Sequence, residues 1–220
     1  STLDGKTYLI KNRDMRTPIT QCVVERHYSN GTSLVEVNGT GTVTYPAAGM
    51  NSFGLAAATS GFWSPKATTV LEDVHSASIF INIHHLLRDC KTVNEVLEYL
   101  KTYPRVNGLN LLVADLKDAV AIETTRDSYY VEQDSGTGLL YRTNHYVLDE
   151  IKCLNPDVTP TTTTYARRKR IEEILKANYG RIRFQDMWRI MSDHADGDLC
   201  ICRHMPGDAP GGTVCTSLVV

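Results

Sequence analysis

Leu109-Asn110-Leu111-Leu112-Val113-Ala114 and Ala119-Val120-Ala121-Ile122-Glu123-Thr124, separated by Asp115-Leu116-Lys117-Asp118, decide the fold class. Two apolar, β-rich runs around a short polar break predict two strands. Working outward, Ser128 to Gln133 and Leu139 to Tyr141 continue a meander. Upstream, Cys22 to His27 and Ser33 to Val37 flank Ser29-Asn30-Gly31, a hairpin with a strong turn signal. Gly49 to Gly54 reads as a turn leading into Leu55 to Ala58, whose small side chains let another layer or a ligand come close. Lys6 to Ile10, after the Asp4-Gly5 turn, reads as half of a further hairpin. Leu199 to Arg203 and Thr213 to Leu218 return to strand.

Helical periodicity appears in two blocks. Ser76 to Cys90 carries the stripe Ile79, Ile83, Leu86 and Leu87, and Thr92 or Asn94 caps a helix from Val93 to Leu100 with Val96, Leu97 and Leu100 buried. Tyr165 to Asn178 turns Ile171, Ile174 and Leu175 inward, and Phe184 to Met191 is a shorter helix. The Pro- and Thr-rich stretch Asn155 to Thr164 is a loop. Strands, two helices, strands, two helices, strands is the order of an α+β fold with antiparallel sheets, not of alternating βαβ units. No Gly-x-Gly-x-x-Gly and no phosphate loop supports a nucleotide fold.

The 220 residues, 42% of them hydrophobic, suffice for one domain over 1–220 with a full core. A formal charge of -2, with 166–170 as the longest basic block, argues against nucleic acid or an anionic membrane as partner. No run of 18 apolar residues spans a bilayer. Six cysteines are too dilute for a disulfide scaffold, and no signal peptide is visible; the compartment stays open, with the cytoplasm slightly favoured. The start at Ser1 and the end inside a predicted strand both read as cut.

Three polar islands carry the chemistry: Lys11-Asn12-Arg13-Asp14, Thr143-Asn144-His145 and Cys200-Ile201-Cys202-Arg203-His204. A carboxylate, an amide and a guanidinium at strand ends suit acyl chemistry, which needs a held nucleophile and a held oxyanion. Each has a plainer reading. Asp14 could cap backbone N–H groups, Asn144 could be a turn residue, and Arg203 and Lys11 could face water. His145 neighbours Asn144 without a required role, and His84 and His85 fall at a helix edge. Cys200 and Cys202 fall on one strand face, and two thiols do not make a tetrahedral zinc site even with His194 and His204 in reach, so neither metal nor cofactor is expected. Phe62, Trp63 and Tyr146 suit either an acyl pocket or the core.

Asp4-Gly5, Gly49 to Leu55, Asn110 to Asp115 with Ile122-Glu123, Ser192-Asp193-His194 and Gly212-Thr213-Val214 join these islands in an order and spacing that covers nearly the whole chain. The set resembles the N-terminal nucleophile (Ntn) hydrolases, in the branch of the acyl-CoA:isopenicillin N acyltransferases, to which choloylglycine hydrolases and penicillin V acylases are related. The resemblance implies a four-layer αββα sandwich of two antiparallel sheets flanked by helices. It implies a nucleophile, usually cysteine, freed as a new N-terminus by self-cleavage, with its own α-amine as base. Asp14 then matches the carboxylate that orients the terminus, Asn144 the oxyanion amide and Arg203 an active-site arginine; Lys11 matches only in part, where some relatives carry arginine.

The nucleophile departs from the pattern. Ser1 and Asp14 are thirteen positions apart, too few for an outgoing strand, a turn and a full return. The first reading places a cysteine nucleophile about five or six residues before Ser1. The second uses Ser1 through its own amine, and the third is a silent subunit of the same fold. A papain-type protease is disfavoured, because no cysteine precedes a convincing long helix. The expected reaction is hydrolysis of a linear amide, with acyl transfer to an amine as the alternative. The expected partners are a small acyl amide and the chain's own cleaved N-terminal segment. Homo-oligomers are known among such sandwiches, but no interface stripe marks this chain.

Overall fold

The computed structural model describes residues 2–15, 20–40, 46–61, 83–103, 105, 108–156, 163–204 and 212–219. Strands β1 (Leu9–Met15) and β9 (Gly212–Val219) pair antiparallel as a small sheet. A seven-stranded antiparallel sheet runs in chain order through β2 (Gln21–His27), β3 (Ser33–Gly39), β4 (Pro46–Asn51), β5 (Ala56–Gly61), β6 (Leu109–Ala114), β7 (Ala119–Thr124) and β8 (Tyr129–Gln133).

Alternation along the strands gives the large sheet two apolar faces. Ala57, Leu109, Leu111, Val113, Val120 and Ile122 pack with α1 (Ile83–Asp89) and α2 (Val93–Thr102). On the opposite face Ala48, Ala56, Ala58 and Leu112 meet Leu9 of β1. α4 (Phe184–Met191) packs on β1, and α3 (Thr163–Ala177) joins it through Ile171, Leu175, Ile182 and Ile190. The layers are therefore helix, sheet, sheet, helix, an α+β sandwich.

Local chemistry fixes the ends of these elements. Thr92 Oγ1 accepts from Glu95 N at 3.2 Å while Glu95 Oε2 accepts from Lys91 N, closing the start of α2. Asp115 ties the β6–β7 turn to the same helix, accepting from Val93, Lys117 and Asp118 N. Burial alone would raise that carboxyl; the three backbone bonds hold it below the usual range. Gly31, at φ +86, makes the β2–β3 turn.

Gly49 is where α1 comes closest to the sheet. A Cβ there would stand 2.8 Å from Val35 O and 2.9 Å from Leu87 Cδ1. Gly49→Ala is expected to cost about 1–3 kcal/mol by forcing the layers apart. A thermal melt checks this, and an unchanged midpoint would mean α1 can retreat at no cost.

Five expectations need correction. Residues 2–8 are not half of a hairpin: Thr2 bridges to Ile182, Leu3 N donates to Ile182 O, and β1 starts only at Leu9. Gly49 and Met50 lie within β4, and the turn begins after Asn51. Asn51 accepts from Phe53 and Leu55 N and donates to Leu87 and Cys90 O, so it serves both the turn and the end of α1. Leu139–Tyr141 and Leu199–Arg203 are not strands. Leu139, Tyr141 and Ile201 turn their apolar side chains to α3 and α4.

His84 is not at a helix edge but buried. Its Nδ1 lies 2.7 Å from Glu36 Oε1 and its Nε2 2.8 Å from Tyr28 Oη. Glu36, fully buried, also accepts from Arg26 and Asn38. Such a carboxylate persists only when its lone pairs are filled. Of the helix expected over 76–90, residues 76–82 lie outside the described residues.

Candidate active site

Asp14 stands near the end of β1 at a register irregularity. Arg13 pairs with Cys215 and Asp14 with Thr213, so β9 holds one extra residue here. Thr213 Oγ1 donates to Asp14 Oδ1 at 2.7 Å and accepts from Arg203 N at 3.0 Å. Thr213 N in turn donates to Arg203 O at 2.9 Å. Asn12, two residues before Asp14, donates to Met191 O and Ile201 O and accepts from Thr216 Oγ1. The Asp14 carboxylate is thereby tied to β9 and, through Thr213, to the Arg203 segment, while Asn12 ties the same strand to the end of α4.

Asn144 is held from two layers. Buried Asn110 on β6 donates to Thr143 O and His145 O, both at 2.8 Å. From α3, Thr164 Oγ1 accepts from Asn144 N at 2.8 Å, and Thr143 Oγ1 donates to Thr164 O at 3.0 Å. The Asn144 side chain is itself oriented. Its Oδ1 accepts from Arg167 Nη2 at 2.7 Å and its Nδ2 donates to Gly61 O at 2.6 Å. A guanidinium only donates and a carbonyl only accepts, so the amide cannot be flipped. Nδ2 has two N–H groups; one serves Gly61 and the second is left for a ligand.

Lys11, Asp14, Asn144 and Arg167 all line one cavity of about 640 Å³. Its walls come from β1, from β4–β5 (Pro46, Ala47, Ala58 to Gly61), from β6, from the 142–144 segment, and from Ile171, Met191 and Ile201. Among the described residues, three lining residues bury a polar atom that has no protein partner: Thr59 Oγ1, Asn110 Oδ1 and Arg167 Nε. Native interiors rarely leave such atoms unpaired. Each is available to a polar ligand or to an ordered water.

Of the sequence candidates, Asp14, Asn144 and Lys11 meet at this cavity. Arg203 joins them through Thr213 but is not in a strand. Ser1, Phe62 and Trp63 lie outside the described residues. Thr2 sits at the end of β1 remote from Asp14, its hydroxyl on Lys6 O. Tyr146 is core: it is buried against Ile151 and its Oη donates to Thr124 O. Arg167 escaped the sequence reading, and Asn110 and Thr213 entered it only within strands and the family spacing, with no role of their own. Arg167 looked like one cation of a solvated run, yet it precedes inward Ile171 by four positions, the spacing of a shared helix face. Burial lowers its pKa, Arg203 adds to the effect and Asp14 opposes it, so the three form one electrostatic unit.

The model of the family described as Acyl-coenzyme A:6-aminopenicillanic acid acyl-transferase matches residues 2–219. The chain belongs to this acyl-transferase family. Members of the family are enzymes, and the order of strands and helices above is its Ntn-type sandwich. No curated protein matches the chain. Among solved structures, a variant of the conjugated bile acid hydrolase from Clostridium perfringens superposes with a TM-score of 0.62 at 17% identity, over 99% of this chain and 84% of that one. Penicillin V acylase from Agrobacterium tumefaciens gives 0.55 at 16% identity, over 90% and 69%. At these identities the likeness is one of fold. No helix among the described residues is long and apolar enough to cross a membrane.

Beside Asn144, His145 is buried, with Nδ1 2.8 Å from Thr164 Oγ1 and its ring against Tyr165. Burial, reinforced by Arg168, Arg167 and Arg142, pushes its pKa down to about 4. The folded chain therefore holds His145 neutral at pH 7. The unfolded chain takes up that proton near pH 6.5 and the folded chain only near pH 4, so stability falls as pH drops through this window. Urea titrations from pH 7 to pH 4.5 should show a loss of about 2–3 kcal/mol that His145→Gln removes. An equal slope in the variant would assign the loss to other groups.

Proposed function

We propose that this member of the family hydrolyses a linear amide through an N-terminal nucleophile and an acyl-enzyme. The observation that carries this reading is one cavity lined by both Asp14 and the oriented Asn144, which approach it from separate layers. In this reading the nucleophile lies on a strand preceding Thr2 and comes to rest beside Asp14. Thr2 itself is at the wrong end of β1, and among the described residues β1 pairs only with β9, leaving its other edge for such a strand. Self-cleavage of a precursor would expose the α-amine there.

The α-amine takes the nucleophile's proton as the sulfur or oxygen attacks the amide carbonyl. The second N–H of Asn144, with a backbone N–H, holds the oxyanion. The C–N bond then breaks and the leaving amine takes the proton back. Water repeats the sequence on the acyl-enzyme and releases the acid. Asp14 anchors the terminus, with Lys11 at its side. Arg167 and Arg203 keep the polar wall cationic where negative charge develops.

The test is mass spectrometry of the protein expressed from its whole gene and mixed with a panel of N-acyl amides. A transient adduct of acyl mass on the N-terminal residue, decaying to free acid, is the expected result. Turnover without an adduct, or an adduct mapped to another residue, would sink the assignment. Mapping to Ser1 would keep the chemistry and move the nucleophile. Arg167→Met is expected to lower kcat by about tenfold or more through loss of its grip on Asn144, with the fold intact by circular dichroism. Unchanged kcat would remove Arg167 from the site.

A further inference from the structure

Three donor side chains converge in the segment between α4 and β9. Nitrogen atoms of His194 and His204 and the sulfur of Cys202 all lie within 4.8 Å of one another. Cys202 Sγ is 3.9 Å from His204 Nε2, and the two imidazoles stack at 4.9 Å with planes 3° apart. We propose that His194, Cys202 and His204 bind a zinc-type divalent cation, leaving its fourth position to water.

The donor set fits: one thiolate and two imidazoles are ligands of borderline softness that suit zinc better than magnesium or calcium. Bonds of about 2.0–2.3 Å in a tetrahedron put donors about 3.3–3.7 Å apart, and a metal lies in the plane of each imidazole that binds it, so the two exposed rings must turn out of their parallel stack to close the site. Access is open, since both histidines are exposed while Cys202 is half-buried. Cys200 is not a fourth ligand, because it is buried with its thiol on Cys202 O. Asp193 is not a ligand either, because Arg170 engages both of its oxygens.

The sequence reading weighed these residues and set zinc aside; the bends at 200–202 bring Cys202 to both imidazoles. The segment is already tied by the bond from Cys202 N to Asp193 O, by Arg170 on Asp193, by Asn12 on Ile201 O and by Thr213 on Arg203, while the two imidazoles project from it exposed. A bound ion would cross-link residue 194 to 202 and 204, fixing Arg203 and, through Thr213, Asp14. On binding, the Cys202 S–H bond gives way to a sulfur–metal bond and the proton passes to buffer.

The experiment is titration of the chelator-stripped full chain with cobalt(II) chloride, followed by zinc chloride. One cobalt per chain with a thiolate charge-transfer band, displaced by zinc, is the expected result. Zinc at a hundredfold excess over its dissociation constant should raise the melting temperature by about 5 °C or more. Cys202→Ser should abolish the band, and His204→Gln, an exposed change with little risk to folding, should weaken binding by at least about tenfold. The absence of stoichiometric binding, or binding undiminished in both variants, overturns the proposal. The wild-type spectrum needs no variant to fold and no acyl substrate, so its outcome is independent of the hydrolase reading.

Discussion

Asn144→Ala is expected to lower kcat toward an N-acyl amide by about 10²–10³, with KM changed only a few-fold. The reason lies in how its three polar valences are used. Oδ1 is taken by Arg167 and one N–H by Gly61 O, which leaves one N–H for the oxyanion. A donor that acts on charge present only in the transition state is worth about 3 kcal/mol, and its loss appears in kcat rather than KM. Asn144→Asp separates this role from a merely architectural one. The carboxylate would keep the bond to Arg167 but offer no donor, and its charge would oppose the oxyanion. If Asn144 only anchored Arg167, the aspartate variant would retain near-normal turnover. Steady-state kinetics of the two variants decide between these roles.

Glu123→Gln is expected to lower the melting temperature by roughly 6–12 °C, the equivalent of about 3 kcal/mol in a domain of this size. Glu123 is fully buried on β7. It pairs with Arg142 Nε at 2.8 Å and accepts from Val147 N and Leu148 N. Its charge thus compensates a buried guanidinium and pins the chain on both sides of Asn144. Removing the charge while keeping the shape leaves Arg142 with only Glu132, which is partly exposed. Adding Arg142→Met should recover part of the loss, because the stranded cation goes with it. Calorimetry of the single and double variants checks both statements. A double variant less stable than Glu123→Gln would mean that Arg142 contributes packing more than charge.

The large sheet was legible because its strands obey one local rule. β6, β7 and α4 run from the residues that alternation and helical spacing predict, since each buries one regular face. The failures came where apolar residues serve a neighbour and not a ladder. Leu139, Tyr141 and Ile201 pack on α3 and α4, and periodicity cannot distinguish that from a short strand. Of the residues that line the cavity, Asp14 and Asn144 were singled out through the family spacing. Arg167 was not, because a cation in a run of cations carries no mark of burial until the helix face is compared with Ile171. Glu36 and His84 were missed for a related reason: a buried acid and base look like surface charge until their partners arrive from distant strands and helices.

The double clamp on Asn144 also bears on how such a protein can change its substrates. Asn110 reaches the 143–145 segment from the sheet and Thr164 reaches it from a helix, so altering either one moves the Asn144 amide. The opposite wall, Pro46, Ala47 and Ala58 to Gly61, is built from small side chains on two neighbouring strands. Gly61 gives the Asn144 side chain its carbonyl and Ser60 pairs with Asn110, so the outer end of β5 belongs to the same frame. Pro46, Ala47 and Ala58 make no side-chain bond to that frame among the described residues, and in the proposed mechanism they are where a directed library can reshape the cavity with the least disturbance of the Asn144 amide. One stretch of wall then carries the reaction and another its range.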